Sequence, residues 1–600
     1  MTHAYVGKLL RVDLGRRQTR TEPLDRELAR LFIGGRGLAT KLFSNEVDPN
    51  IDPLHPANKL ILAAGPLTGT AAPCGSRFMV VTKGPLTGAI ASSNCGGDFG
   101  PELKYAGYDL IVFDGVAKEP TVLVIDDGKA ELRPAADLWG RNVHETEDIL
   151  HDQLGRDFKF VSIGPAGEKL VRFAAIINDK SRAAGRSGVG AVLGSKKVKA
   201  VAVRGTGGLT AADPAGFRTT CLDVLDKLKN GAVTGTGLPR FGTAILVNVI
   251  NEHGAFPTHN FQQGQFAGAE KISGETIAQQ ILVRNRACMS CPIACGRVTA
   301  IASGPYRSHG EGPEYETIWA LGAAVGVSDL AAATKANYIC NQLGLDTISA
   351  GATIACAMEL VEKGVLTEQE IGFPLRFGDG EALVRLMTQI GYREGFGDVL
   401  AEGGARLAAK YGRPDLFMGV KKLEFPAYDP RGILGMGLQY ATSNRGACHV
   451  RGYMVSAEIL GVPMKMDPHT TAGKAAVNIA FQNLTAAVDS AGMCLFATFS
   501  IGAPELAALL KTATGFDYDV DELLQAGDRI WNLEKLFNLR AGFSRADDTL
   551  PPRLLHEPMP AGPAAGKTVP LTEMLDEYYR LRGWDDQGRP TPEKLAALHL

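Results

Sequence analysis

Three things are scarce in this sequence of 600 residues: long apolar runs, charge of one sign, and cysteine. No stretch approaches the roughly 18 apolar residues that a membrane helix needs, so no membrane partner is expected. The formal net charge is only -2 and no basic block is present. The electrostatic footprint of a nucleic-acid binder is therefore missing. Ten cysteines are too few for a disulfide scaffold of this length, which points to a reducing compartment. The N-terminus, Met1-Thr-His-Ala-Tyr-Val-Gly-Lys-Leu-Leu, lacks an apolar core, and Arg16-Arg17 is followed by polar Gln18-Thr19-Arg20. Neither a secretory nor a twin-arginine signal is expected, and the expected location is cytoplasmic. The glycine-rich Ala184-Gly-Arg-Ser-Gly-Val-Gly190 lacks the Lys-Ser/Thr of a phosphate-binding loop and the βαβ setting of a dinucleotide fingerprint, which disfavours a nucleotide site.

Glycine is abundant instead, at 71 residues, well above the usual share of about 7%. Many backbone positions must therefore adopt positive φ or approach something closely, as in a cofactor protein. Short β-type runs fill the first third: Leu60–Ala64, Phe78–Thr82, Asp109–Phe113, Thr121–Ile125, Phe158–Ile163 and Val198–Val203. From about residue 211 apolar residues recur at helical spacing, as in Leu383, Leu386, Met387 and Ile390. The turn-rich Pro426-Ala-Tyr-Asp-Pro-Arg-Gly432 interrupts that pattern. The expected class is α+β, with a β-rich base domain over 1–210 and two mainly helical domains over 211–420 and 421–600.

The strongest chemical motif is Cys288-x2-Cys291-x3-Cys295, since three thiolates on one loop can reach three corners of a [4Fe–4S] cubane. A zinc knuckle would want a second close pair, and a redox Cys-x-x-Cys pair has no use for the third cysteine. The fourth ligand could be Cys74, Cys95, Cys221, Cys340, Cys356, Cys448 or Cys494. Two loops, Pro73-Cys-Gly-Ser-Arg77 with Ala91-Ser-Ser-Asn94-Cys-Gly-Gly97, and Ser181-Arg182-Ala-Ala-Gly185-Arg186-Ser-Gly188, combine glycine with Arg, which suits either phosphate binding or tight surface turns. Asn341-Gln-Leu-Gly-Leu-Asp346 echoes Asp489-Ser-Ala-Gly-Met-Cys494. The echo reads either as two similar ligand sites or as two helix C-terminal turns. In the first case, the Asp346 and Asp489 carboxylates could accept paired hydrogen bonds from a pterin edge. Glu311-Gly-Pro-Glu314-Tyr-Glu316 and Asn444-Arg-Gly-Ala-Cys-His449 offer groups for proton transfer.

Taken together these motifs, with Leu31-Phe-Ile-Gly-Gly-Arg-Gly-Leu, Ala63-Ala-Gly-Pro-Leu-Thr-Gly-Thr70 and Tyr579-Arg-Leu-Arg-Gly-Trp584, resemble the tungsten-containing aldehyde:ferredoxin oxidoreductase family over nearly the whole chain. The resemblance implies a tungsten or molybdenum bis-molybdopterin on the β-rich base. Asn341, Leu345 and Asp346 would serve one pterin, and Asp489 and Met493 the other. Arg77, Asn94, Gly96, Arg182, Ala183, Gly185 and Arg186 would handle the phosphates and a magnesium between them. Cys288, Cys291, Cys295 and Cys494 would hold the cluster. Glu316 and His449 would lie beside the metal as catalytic groups.

The chain departs from the family pattern at three places. Asn341 stands where Asp is usual. Arg451 replaces a Lys but should still meet an acid. Lys335 and Val384 occupy the positions matching the Glu and His that hold a bridging iron in the archaeal homodimer. The resemblance thus implies oxidation of an aldehyde substrate to the acid, with ferredoxin or a small ferredoxin-like iron–sulfur subunit as acceptor. It also implies a homo- or hetero-oligomer without the bridging iron. An aromatic acyl-CoA reductase and a non-catalytic iron–sulfur scaffold are the alternatives.

Overall fold

Apolar strands that run without alternation must bury both faces, and the first third of the chain does so. The computed structural model describes residues 3–600. One six-stranded sheet runs in the order β2-β1-β6-β3-β4-β5, with β1 (Lys8–Asp13), β2 (Gln18–Pro23), β3 (Leu60–Ala64), β4 (Phe78–Lys83), β5 (Ile90–Cys95) and β6 (Leu110–Asp114). The second six-stranded sheet has the order β11-β10-β9-β12-β7-β8, from β7 (Thr121–Asp126), β8 (Lys129–Pro134), β9 (Lys159–Ser162), β10 (Ile176–Asn178), β11 (Arg182–Ala184) and β12 (Val198–Arg204). All six runs read as strands from the sequence are strands here.

The period of two along each strand sorts residues between two cores. Leu60, Leu62, Phe78 and Val80 pack with Leu123, Val161, Val201 and Val203 of the second sheet. Their neighbours Ile61, Ala63, Met79 and Val81 pack instead with Ala486, Val488, Leu509 and Ile530 from C-terminal helices. The first sheet is thus the layer shared by both halves of the chain, and its end at β5 delivers Asn94 and Gly96 to their junction.

Helices dominate beyond residue 211, around one large core that includes Trp319, Leu383, Tyr440, Trp531 and Tyr578. A small sheet also lies there, β13 (Leu282–Arg286), β14 (Gly296–Ile301) and β15 (Ser308–Glu311), and it frames the cysteine loop. Its first strand, Leu-Val-Arg-Asn-Arg, is largely exposed and carries no apolar alternation, which is why the sequence pattern does not reveal it. Pro426–Gly432 crosses the interior, with Tyr428 in the large core and a buried Arg431–Asp429 ion pair of 2.7 Å. Among the described residues no helix is long and apolar enough to cross a membrane.

Both copies of the echoed motif end helices. Leu330–Leu343 stops at Gly344 (φ 75°) and Lys474–Ala491 at Gly492 (φ 81°), the left-handed position that glycine adopts without steric cost. Asp346 then caps the next helix, accepting from the Ile348 backbone N–H at 3.1 Å.

Candidate functional site

The cysteine loop joins β13 to β14, and folding brings Cys494 to it from the end of helix Lys474–Ala491. The backbone fixes this meeting: Cys494 N–H donates to Cys74 O at 3.0 Å and Cys74 N–H to Ser290 O at 2.8 Å. Cys288, Cys291, Cys295 and Cys494 surround a small void together with Cys74, Arg77, Arg182 and Arg286. Cys95, Cys221, Cys340, Cys356 and Cys448 do not line it. Cys74 does, with its sulfur 3.8 Å from Cys291 Sγ. Among the described residues no three His, Cys, Asp or Glu side chains converge as a single metal ion requires. Thiols spread around a void fit a polynuclear cluster better than a zinc ion. Burial pushes the Cys295 and Cys494 thiols up, so their ionised forms call for positive partners. Arg77 supplies one, donating from Nη2 to Cys494 Sγ at 3.0 Å.

Next to this void lies a cavity of about 490 Å³, and Arg77, Arg182 and Cys295 line both. Asn94, Gly96, Ala183, Gly185, Arg186, Glu316, Asn341, Leu345, Asp346, His449 and Arg451 also line the cavity. Gly96 stands at the join, where a Cβ would come 2.9 Å from Cys288 Sγ and 3.1 Å from Arg77 Cζ. Buried polar atoms here lack partners: Nε of Arg77, Arg445 and Arg451, Nδ1 of His449 and Oε1 of Glu316. Native proteins leave few such groups unsatisfied. Three arginine N–H groups without acceptors, on a glycine-lined wall, fit an anionic ligand rich in hydrogen-bond acceptors, as a phosphate-bearing pterin is.

Glu316 occupies the first turn of helix Tyr315–Ala320 and accepts from the Ala427 N–H at 2.8 Å. A helix N-terminus favours the anion by at most about 2 kcal/mol. Burial outweighs this and pushes the carboxyl up to about 8. His449 Nε2 lies 3.6 Å from Glu316 Oε1, too far for a direct hydrogen bond. Burial, followed by Arg186, Arg445 and Arg451, drives the imidazole well below its ordinary range. The pair at neutral pH is therefore an uncharged carboxylic acid facing an uncharged imidazole. Gln439 clamps the histidine loop, donating from Nε2 to Cys448 O at 2.7 Å and His449 O at 2.6 Å. Tyr428, Tyr453, Leu460 and Phe499 give the same cavity an apolar wall.

The two copies of the echoed motif are placed differently. Asp346 lines the cavity, 3.3 Å from Arg186 Nε. Asp489 and Met493 do not line it. The Asp489 carboxylate meets protein donors, Asn94 Nδ2 at 3.0 Å on Oδ1, and Arg36 Nη1 at 3.4 Å and Arg451 Nη1 on Oδ2. Met493 is buried in the core beneath the first sheet. Close packing holds this helix end back, since a Cβ on Gly35 would meet Asp489 O at 2.5 Å. Arg451 does meet an acid, as its position suggested. Asn341 donates to the Glu311 carbonyl at 3.1 Å. Lys335 and Val384 sit on the packed helices Leu330–Leu343 and Gly380–Tyr392 and offer no carboxylate or imidazole. Sequence reasoning missed Arg445, which lines the cavity and donates to Ser92 O at 2.6 Å and Cys448 Sγ at 2.8 Å. Its place between Asn444 and Gly446 in the histidine motif was the available signal.

Comparison with protein families matches residues 9–205 to "Aldehyde ferredoxin oxidoreductase, N-terminal domain" and residues 219–600 to "Aldehyde ferredoxin oxidoreductase, domains 2 & 3". The chain is 53% identical over 599 residues to the tungsten-containing aldehyde ferredoxin oxidoreductase of Pyrococcus furiosus, covering 99% of this chain and 98% of that one. It is 52% identical over 599 residues to the enzyme of the same name from Thermococcus kodakarensis, with 99% and 98% covered. Among solved structures, the active-site complex BamBC of benzoyl coenzyme A reductase with 1,5-dienoyl-CoA aligns at a TM-score of 0.87 and 28% identity, over 100% of this chain and 98% of that one.

Proposed function

Because the chain belongs to the aldehyde ferredoxin oxidoreductase family, we propose that it oxidises aldehydes to carboxylic acids and passes the electrons to ferredoxin or a ferredoxin-like subunit. One observation carries this reading: Glu316 and His449 face each other at 3.6 Å on a cavity that shares Arg77, Arg182 and Cys295 with the void of thiols.

Bound tungsten or molybdenum bis-molybdopterin would supply two-electron chemistry, and a [4Fe–4S] cluster a one-electron outlet. Cys288, Cys291, Cys295 and Cys494 would hold the cluster. Arg77, Asn94, Gly96, Arg182, Ala183, Gly185 and Arg186 would hold the phosphates with magnesium. Asn341, Leu345 and Asp346 would hold one pterin, and Asp489 and Met493, with Arg451, would hold the other. His449, kept neutral, donates a hydrogen bond to the carbonyl oxygen as negative charge develops there. Glu316 orients water and, in its ionised form, accepts the water proton at the oxygen that has no protein partner.

His449→Ala and Glu316→Gln should each lower kcat roughly 10²–10⁴-fold with metal content unchanged, and a loss within about twofold would overturn these roles. Anaerobically purified protein should contain tungsten or molybdenum and about four irons per chain. The structural neighbour's dienoyl-CoA ligand supports a second reading, reduction of an aromatic acyl-CoA, which a thioester-reduction assay separates from aldehyde oxidation. Ten unpaired cysteines support a cytoplasmic setting. Lys335 and Val384 support an assembly without a bridging iron, and a mass measurement showing only free monomer would overturn the assembly.

A further inference from the structure

Two exposed arginines without an ion-pair partner among the described residues, and one exposed valine, lie on the elements that adjoin the cysteine loop. Strand β13 is the outer strand of its sheet, pairing with β14 alone, and it leads directly into the loop, where Ala287, Ser290 and Pro292 are exposed. On it Val283 is 62% exposed, one of only four large apolar side chains left so open among the described residues. Arg284 follows, exposed, and among the described residues its guanidinium makes only a 3.4 Å hydrogen bond to the Asn285 carbonyl.

The turn Leu238–Phe241 is tied to this strand by Asn285 Nδ2, which donates to Pro239 O at 2.7 Å. The turn presents exposed Arg240, which stacks on Phe241 at 4.8 Å and, among the described residues, has no carboxylate within ion-pair distance. Gly242 behind it abuts the loop itself, since a Cβ there would lie 3.2 Å from Cys295 O. By contrast, Arg286 is neutralised by Glu311 at 2.9 Å.

Charges on an edge strand can simply deter aggregation. Here, however, Arg284 precedes Cys288 by four residues and Arg240 precedes Gly242, which abuts the loop, by two, and the thiols are where electrons must leave if the proposed function holds. A redox encounter is small and transient, with an apolar centre and complementary charge that steers approach. We infer that Val283, Arg240 and Arg284 form the docking face for a small, acidic iron–sulfur electron carrier. The inference rests on the proposed function, and on charge complementarity for the sign of the partner.

The test uses the holoenzyme, an acidic low-potential [4Fe–4S] ferredoxin, and a viologen dye as the acceptor that needs no docking. Arg240→Glu with Arg284→Glu should raise the KM for ferredoxin by about tenfold or more at low salt, in line with steering effects of 10–10³, and the difference should shrink at high salt. The viologen rate should stay within about twofold. Lys118→Glu with Lys129→Glu, the same charge change at exposed positions of the N-terminal third, should leave the ferredoxin KM unaltered. An unchanged KM in the arginine variant, or an equal rise in the lysine variant, overturns the docking face. Should the charge reversal lower the viologen rate too, Arg240→Gln with Arg284→Gln decides, and it must still raise the KM.

Direct binding of the ferredoxin separates the two readings. If wild type binds ferredoxin and the arginine variant does not, but no aldehyde is oxidised with either acceptor, the proposed function falls and the docking face stands. If aldehyde oxidation with viologen is normal and both bind equally, the docking face falls. Loss of self-association with unchanged ferredoxin binding would assign the face to a second copy of this chain and overturn the inference.

Discussion

The Arg77 guanidinium donates to the Cys494 sulfur at 3.0 Å while its other arm reaches Asn94 Oδ1 at 3.2 Å, so one side chain spans the thiol void and the cavity. The contact also distinguishes two cysteines that both stand beside the Cys288 loop. Cys494 faces Arg77, whereas Cys74 faces Cys291 at 3.8 Å. Cys494→Ser should lose iron and the cluster signal in electron paramagnetic resonance, and Cys74→Ser should retain both. The reverse pattern would make Cys74 the fourth ligand.

Gly96 is bare because both neighbours crowd it. Alanine there would place a methyl 2.9 Å from Cys288 Sγ, so either the thiol or the Arg77 head must move. Overpacking of this kind costs about 1–3 kcal/mol. Gly96→Ala should therefore lower the melting temperature modestly and reduce iron per chain, as read by elemental analysis. Full iron occupancy would show that the join is looser than its geometry suggests.

Glu316 sets the expected pH dependence. Burial holds its carboxyl at about 8, so the base form needed for water activation accumulates only as pH rises through that value. kcat should climb close to tenfold per pH unit below about 8 and level off above it, and a profile flat from pH 6 to 9 would remove the base role. Stability should move the other way. The folded carboxyl binds more protons than the unfolded one between about 4.5 and about 8, so the stabilisation is full below that window and is lost as pH rises through it. Glu316→Gln should flatten this decline in melting temperature.

Asn341 should not tolerate replacement by Asp. Its amide donates to the Glu311 carbonyl at 3.1 Å, and Asn337 donates to the same oxygen at 2.9 Å. Asn341→Asp removes a donor and turns a carboxylate toward a carbonyl, at a cost of about 1–3 kcal/mol. Chemical denaturation of the two proteins should show the loss at neutral pH, with partial recovery when the new carboxyl is protonated. Equal stability would mean that the carbonyl is satisfied by Asn337 alone.

By itself the sequence determined whatever depends on local pattern. The six strand segments were legible because uninterrupted apolar runs bounded by Gly and Pro have few other solutions, and Gly344 and Gly492 marked helix ends because glycine tolerates positive φ. The Cys288 loop was legible from its spacing, whereas Glu316 and His449 were singled out by the family resemblance and not by local pattern. Tertiary structure alone decided which distant groups meet. It brought Cys494 to a loop some two hundred residues earlier, through backbone hydrogen bonds that no motif encodes. The two motif copies read alike, yet Asp346 lines the cavity while Asp489 meets Arg36, Arg451 and Asn94. It also drove the Glu316 carboxyl up and the His449 imidazole down, because burial outweighs local charge and burial is a property of the packed chain, not of the residue.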